Sequence, residues 1–197
     1  MNYPQFFDTI ETITLEDDLS NFLGTFKNGI VEFSYLDIVK ATGHSCPTVA
    51  GAYLVCIEGL KALYGEKIPK RGEIFISFKE DALEGTTGVI ASVLTHITGA
   101  TFDQGFKGLN GNFSRIGLME FGANIDTNVK FTRKDTKDSV NINYDPSSIK
   151  VDPRQMQLMK SILEQKATTK EKEEFKTLWQ QRVEAIFKNK NKVIQIA

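Results

Sequence analysis

The hydrophobic and polar positions of the first 45 residues predict two helices. Apolar residues recur at helical spacing from about Phe6 to Leu23 and stop at Gly24, which predicts an opening helix. The segment "SYLDIVKATG" then offers Ser34 as an N-cap, a short apolar stripe, and Gly43 at the position that usually ends a helix. A short second helix is therefore expected to end just before a loop.

Two further segments are apolar on nearly all sides and predict buried helices. Pro47 fits the first turn of one of them, where its missing N–H costs nothing, and Gly65 is placed to end it. The other lies within "EGTTGVIASVLTHITGAT", begins at Thr86 or Thr87, and ends at Gly99. Both helices are expected in the core.

Strand-like segments surround these helices. "EIFISF" is a β-branched and aromatic segment of strand length, and three more strands are predicted in "NFSRIGLMEF", "NVKFTRK" and "SVNINY". Two amphipathic helices follow, the second introduced by a capping box of Thr168 and Glu171. The predicted fold class is α+β, with helices packed on a mixed or antiparallel sheet and with C-terminal amphipathic helices.

A change of character near Asp152 and Pro153 divides the chain into a predicted α+β domain, 1–150, and a C-terminal helical extension, 151–197. The extension carries an apolar stripe that it can bury only against the domain or a second subunit. The residues of this stripe are Phe175, Leu178, Trp179, Val183 and Ile186. A homodimer is therefore expected.

Composition excludes several classes of partner. The chain has 24 basic and 25 acidic side chains, so no net field favours nucleic acid or an anionic membrane. It has no apolar segment long enough to span a membrane and no basic, apolar leader at its start. A cytoplasmic protein that binds neither nucleic acid nor membranes is expected.

Three of the four His and Cys residues lie within 44–56. Ten residues at about 1.5 Å rise place Cys46 and Cys56 roughly 15 Å apart along one helix, so they can share neither a disulfide nor a metal. Cys56, in mid-helix, is expected to be a small buried hydrophobe. Cys46 is expected at the N-cap, where the helix dipole and free N–H groups favour an anion.

The loop "HSC" offers candidate metal ligands. His44 and Cys46 are close enough to meet one cation such as Zn²⁺ or Ni²⁺, although a histidine that only bonds the backbone at a helix corner is an open alternative. Asp103 could supply an oxygen ligand or be a turn residue. His96 could be a core residue or a cation at the end of its helix.

These segments resemble a known family. "GHSCPTVAGAYL" resembles the Gly-His-x-Cys-Pro segment of the FmdE family, which takes its name from a component of formylmethanofuran dehydrogenase. "EGTTGVIASVLTHITGATFDQGFKGLNGNFSRIGLMEF" is similar to that family's second helix, its Thr-Gly-Cys-Thr turn and the next strand, and the C-terminal helices are similar to the helical region that often follows. The resemblance extends from about Phe33 to Phe187.

The resemblance implies a domain like one in glyceraldehyde-3-phosphate dehydrogenase-like proteins, a dimer, and a metal near the His-x-Cys loop. The family's turn cysteine is Ala100 here, which removes one candidate ligand and makes His96 the expected third ligand beside His44 and Cys46. No Cys follows Cys56, so the zinc ribbon of many members has no counterpart. The chain thus resembles bacterial members that lack the ribbon. Methanofuran need not be its substrate, because bacterial relatives carry this domain without the methanofuran pathway.

Several functions stay open at this point. The leading hypothesis is a protein that binds Zn²⁺ or a related divalent ion, accessory to a redox or cofactor-handling system, with an open metal position for a small ligand or a redox-enzyme partner. Alternatives are a stand-alone enzyme, a haem-binding protein, and a dimerisation module without a ligand. No catalytic residue is assigned. The enzyme hypothesis would use Cys46 on a substrate wall of Asn110, Asn112 and Arg115, with His44 or His96 as base.

Overall fold

The computed structural model describes residues 2–197. The secondary structure of its N-terminal segment differs from the prediction. The predicted opening helix is wrong. A 3₁₀ turn at Gln5–Thr9 leads into strand β1, Ile13–Glu16, and only then a short helix α1, Asp18–Phe22. The sequence "ITLE" alternates buried and half-buried side chains, and β1 pairs antiparallel with strand β2, Ile30–Phe33. Period-two alternation with a β-branched residue therefore prevails over the looser helical spacing.

The next three helices confirm the predicted caps. Helix α2 is Tyr35–Thr42, α3 is Pro47–Tyr64, and α4 is Thr87–Thr98. Ser34 and Asp37 form a reciprocal capping box at the start of α2. Gly43 ends α2 and Gly99 ends α4, both in the left-handed conformation that glycine adopts without strain.

The main sheet has five strands and confirms the α+β class. Its strands are β3, Ile74–Phe78, β4, Met119–Glu120, β5, Val129–Arg133, β6, Ser139–Tyr144, and β7, Ile194–Ile196. The spatial order is β4-β3-β5-β6-β7, with the β3–β4 pair parallel and the other pairs antiparallel.

Two strands of this sheet differ from the prediction. The strand expected over 112–121 shrinks to two residues, because Gly117 and Gly122 on either side of β4 have positive φ and turn the chain out of the sheet. Strand β7 has no counterpart in the prediction. Its three residues follow a helix too closely for a period to be recognised.

The C-terminal segment, 151–197, contains helices α5, Pro153–Leu163, α6, Thr169–Lys188, and α7, Lys190–Val193. The capping box of Thr168 and Glu171 is confirmed. Helix α6 packs on α3, and β7 pairs with β6, so this segment shares the core of the preceding residues.

The apolar stripe of α6 lies largely against this core. Val183 and Ile186 are buried within the chain, and Trp179 packs against the same cluster. One chain therefore covers much of the surface that suggested a second subunit, and the homodimer stays a prediction. Within 2–197, no helix combines the length and apolar character needed to cross a membrane.

Helix α3 lies against the sheet without space for extra atoms. It is buried without interruption from Val49 to Ile57. A Cβ at Gly59 would come within 2.6 Å of Ile142 Cδ1 and 2.9 Å of Phe131 Cε2, closer than packed carbon atoms approach. Glycine at this position allows the helix backbone to approach β5 and β6.

We expect Gly59→Ala to destabilise the protein by about 1–3 kcal/mol, because the added methyl group overpacks a fully buried contact. Helix propensity alone would make the same change stabilising by about 0.5–1 kcal/mol. Urea unfolding measures the change in the free energy of unfolding, provided that the parent and the variant have the same m-value. A stabilised variant would show that helix α3 does not approach the sheet so closely.

Candidate functional site

The candidate site is built around Cys46, the N-cap residue of α3. Residues 43–45 form the loop between α2 and α3, and Pro47 occupies the first turn of α3. The Cys46 Sγ accepts a hydrogen bond from the backbone N–H of Val49 at 3.4 Å. Cys46 is half-buried, whereas Cys56 is fully buried in the middle of the same helix. The predicted positions of the two cysteines in the helix are thus confirmed, and both thiols are free.

Side chains from two other helices hold the loop before Cys46. The indole Nε1 of Trp179 donates to the Ser45 carbonyl at 3.0 Å, and the Ser45 hydroxyl donates to Gln180 Oε1 at 3.1 Å. Since that hydroxyl already donates, the Tyr35 hydroxyl is the donor in its 2.9 Å bond with Ser45 Oγ. Helices α2 and α6 therefore fix the position of the loop.

A cavity of about 530 Å³ lies beside Cys46. One wall is the start of α3, with Cys46 and Pro47, and the start of α4, with Thr86 and Thr87. Further side chains come from within α3 and α4, from the ends of β3, β5 and β6 and the residues next to them, and from α6. Its larger apolar and aromatic members are Val55, Phe78, Ile90, Val129, Tyr144 and Trp179. The cavity is thus mainly apolar, with a few polar groups on its rim.

Tyr144 closes part of this wall and anchors α3. Its hydroxyl donates to the Pro47 carbonyl at 2.7 Å, and its ring lies where a Cβ at Gly51 would be. Burial raises the pKa of Tyr144 far above its ordinary value, so the phenol keeps its proton at every physiological pH. The tyrosine acts here as a fixed hydrogen-bond donor.

Among the described residues, only two with charged side chains line the cavity, Glu80 and Arg182. Glu80 is exposed, and its Oε2 accepts a hydrogen bond from Thr87 Oγ1 at 3.1 Å. Arg182 is half-buried, and its Nε is a fully buried nitrogen without a hydrogen-bond partner in the described chain. A buried donor without an acceptor destabilises the folded state.

The predicted ligand His44 lies outside this cavity. It is exposed, and its Nδ1 lies 3.1 Å from the Thr42 carbonyl. A carbonyl can only accept, so Nδ1 carries the hydrogen and the neutral ring presents the lone pair of Nε2 to solvent. That tautomer is suited to a metal, but the ring is not part of the cavity wall.

His96 is not brought to Cys46. Thr87, at the start of α4, lines the cavity, and His96 lies nine residues further along the helix, about 13 Å away along its axis. The His96 carbonyl accepts from Arg71 Nη2 at 3.1 Å at this far end. The described residues contain no cluster of three His, Cys, Asp or Glu side chains able to hold a metal.

The other predicted ligand-binding residues also lie away from the cavity. Asp103, Asn110 and Asn112 are exposed in the loop between α4 and β4. Arg115 is buried, and its Nη2 donates to Asp17 Oδ1 at 2.7 Å. The structure therefore gives Arg115 a structural ion pair instead of the substrate contact expected from the sequence.

One known protein family matches the part of the chain that contains the cavity. The family described as "FmdE, Molybdenum formylmethanofuran dehydrogenase operon" matches residues 41–195. The chain belongs to the FmdE family. The matched range includes every residue of the cavity wall and confirms the resemblance found in the sequence. No curated protein matches the chain.

Sequence reasoning missed Arg182, Trp179, Tyr144 and Glu80 as site residues of this FmdE-family chain. In the sequence, Trp179 belongs to an apolar helix stripe, and Arg182 is one of many charges on the same helix. The one signal that the sequence offers is that an arginine and the only tryptophan of the chain are three residues apart, on the same side of a helix. That spacing does not reveal what the helix faces.

The ion pairs of Asp17 give the far end of α4 a pH-dependent stability. Burial opposes ionisation of Asp17, but the Arg71 hydrogen bond, the Ser20 N–H and the Arg115 charge outweigh it and lower the pKa of this carboxyl. The carboxylate form is thus stabilised by folding. Its contribution is present above the ordinary Asp pKa of about 3.9 and is lost as pH falls through the lower value of the folded state.

We expect Asp17→Asn to lower the free energy of unfolding at pH 7 by about 3–5 kcal/mol, because Arg71 and Arg115 both lose the carboxylate that they share. The difference from the parent protein should narrow as pH falls below about 4. Urea unfolding between pH 3 and 7 measures it. A difference independent of pH would show that a neutral interaction of Asp17 is responsible.

Proposed function

We propose that this FmdE-family chain is an accessory protein of a formylmethanofuran dehydrogenase-type redox system and binds a small molecule in the Cys46 cavity. The observation that supports this proposal is the cavity itself, which joins the family's His-x-Cys loop to an arginine with a buried, unpartnered nitrogen among the described residues. Its volume of about 530 Å³ lies within the range of small-molecule sites.

The rigid setting of the loop supports binding. Trp179, Gln180 and Tyr35 hold Ser45, and Tyr144 holds Pro47, so the thiol between them has little freedom to move. Groups fixed before a ligand arrives lose less conformational entropy when it binds. The loop is thus preorganised for a ligand in the cavity.

The arrangement favours binding over catalysis by Cys46. A cysteine nucleophile that is activated by a general base needs that base next to the thiol, and neither histidine lines the cavity. Among the described residues, Glu80 is the only one with a carboxylate side chain that lines the cavity. It accepts a hydrogen bond from the Thr87 hydroxyl and makes none with the Cys46 thiol. The stand-alone enzyme is therefore the weaker candidate.

Thiol labelling tests whether the cavity is open to small molecules. Cys46 is half-buried on the cavity wall, whereas Cys56 is fully buried and its pKa is strongly raised by burial. We expect one thiol per native chain to react with a small disulfide reagent such as DTNB, and both to react after unfolding.

The two single variants serve as matched controls for this labelling. Cys46→Ser should remove the native reaction, and Cys56→Ala should leave it intact. A native chain in which neither thiol reacts would contradict an open cavity and with it the proposed binding function.

A divalent metal at the His44–Cys46 loop is the second candidate. The hydrogen bond of His44 to the Thr42 carbonyl sets the tautomer in which Nε2 can bind a metal. The described residues provide only these two donors at the loop, fewer than the three or four protein ligands of an ordinary zinc site. They do not make a complete site, so water, a small ligand or a second subunit would have to supply the rest.

If this candidate is correct, Cys46→Ser and His44→Ala should each weaken Zn²⁺ or Ni²⁺ binding at least tenfold, about 1.4 kcal/mol. His96→Ala is the matched control and should leave affinity unchanged, because His96 lies at the far end of α4. Titration with elemental analysis measures this, and equal metal content in the parent and Cys46→Ser would exclude the loop. A Soret band in the visible spectrum would instead support haem.

A further inference from the structure

Among the described residues, Arg182 is the one arginine without a carboxylate partner. The chain has five arginines, and Arg71, Arg115, Arg133 and Arg154 each lie within 4.0 Å of a carboxylate oxygen. No such contact exists for Arg182 within 2–197, although its Nε is fully buried. We propose that the Cys46 cavity binds an organic monocarboxylate whose carboxylate pairs with Arg182. This inference rests on the proposed small-molecule site.

The cost of the unpaired group supports a missing anion. A buried N–H of a guanidinium that has left water without finding an acceptor is destabilising, and the remedy in folded proteins is a bound partner. The structure itself shows this remedy elsewhere, since the buried Arg115 pairs with Asp17 at 2.7 Å. Arg182 lines the cavity. Because protein atoms cover its Nε, a carboxylate bound there would pair with the two Nη groups of the guanidinium.

The rest of the wall favours a single negative charge. The first turns of α3 and α4, with Pro47 and Thr87, both border the cavity, and helix N-termini favour anions. Glu80 borders the same cavity and opposes a second negative charge. The planar guanidinium can pair bidentately with a carboxylate or a phosphate, and repulsion from Glu80 favours the singly charged carboxylate over a phosphate dianion.

The cavity wall also indicates the chemical class of the uncharged part of the ligand. It contains a tryptophan whose fluorescence can report binding. Ile90 and Tyr144 are half-buried and offer apolar and aromatic contact surface, and Trp179 adds a second aromatic face. An aromatic or aliphatic carboxylate is thus the expected class. Trp179 is the only tryptophan of the chain, so indole fluorescence reports on this cavity alone.

The experiment titrates the full chain with benzoate, benzamide and phenyl phosphate while following Trp179 fluorescence. The three probes share one ring and differ in charge. We expect benzoate to bind with millimolar affinity, as suits a small probe, and at least tenfold more tightly than neutral benzamide. Phenyl phosphate should bind more weakly than benzoate because of Glu80.

Variants of α6 assign the effect to Arg182. Arg182→Gln should weaken benzoate binding at least tenfold and leave benzamide unchanged, while Lys188→Gln, which removes an exposed charge from the same helix, should change neither. Arg182→Lys keeps the charge but loses the planar fork, and we expect intermediate affinity. If Arg182→Gln does not fold, as judged by near-UV circular dichroism, Arg182→Lys still decides the question.

The outcomes separate this inference from the proposed function. Equal binding of benzoate and benzamide, unaffected by Arg182→Gln, would leave the small-molecule cavity in place and overturn the carboxylate. Tighter binding of phenyl phosphate that depends on Arg182 would replace the carboxylate with a phosphate ester. If no probe binds, the carboxylate is overturned, and the reaction of Cys46 with DTNB decides separately whether the cavity is open.

Discussion

The close approach of helix α3 to the sheet is the constraint on which the site depends. Two glycines, Gly51 and Gly59, allow it, because a Cβ at either position would meet side chains of β5 or β6. At Gly51 the space is taken by the ring of Tyr144, whose hydroxyl reaches the Pro47 carbonyl. The packing of the core thereby sets where α3 begins and where the Cys46 thiol lies.

The arginines of this chain fall into two groups, those that form ion pairs within the fold and one that borders the cavity. Arg71 and Arg115 each pair with one oxygen of the Asp17 carboxylate, and these contacts hold β1, α1 and the end of α4 together. Arg182 has no such partner among the described residues, and it borders a cavity. A half-buried charge that borders a cavity, without a carboxylate partner among the described residues, is the feature that most directly indicates a ligand.

Membership of the FmdE family and the geometry of this chain indicate different sets of candidate ligand-binding residues. The resemblance seen in the sequence pointed to His44 and Cys46, and the structure places both in the segment between α2 and α3. The Cys46 thiol lies on the cavity wall, whereas the His44 imidazole is exposed and does not line the cavity. A cavity ligand therefore uses Cys46 together with α6, whereas a metal would use it together with His44 and groups from outside the chain.

The sequence by itself determined most of the helices, because their ends depend on local chemistry. Ser34 with Asp37, Pro47, Gly99, and Thr168 with Glu171 act on backbone groups within four residues, so their effects can be recognised without a structure. The central strands β3, β5 and β6 were equally visible as β-branched and alternating segments. The α+β class followed from these elements.

Only the tertiary structure decided the short strands and the site. β1 and β7 gain their stability from pairing with β2 and β6, which local spacing cannot show. Cys46 and Arg182 are 136 residues apart in the sequence and meet at one cavity because α6 folds back onto α3. His96 is not grouped with His44 and Cys46 among the described residues, because proximity in sequence to Ala100 does not determine which end of α4 faces the cavity. Chain folding sets such distances, and residue types alone do not contain them.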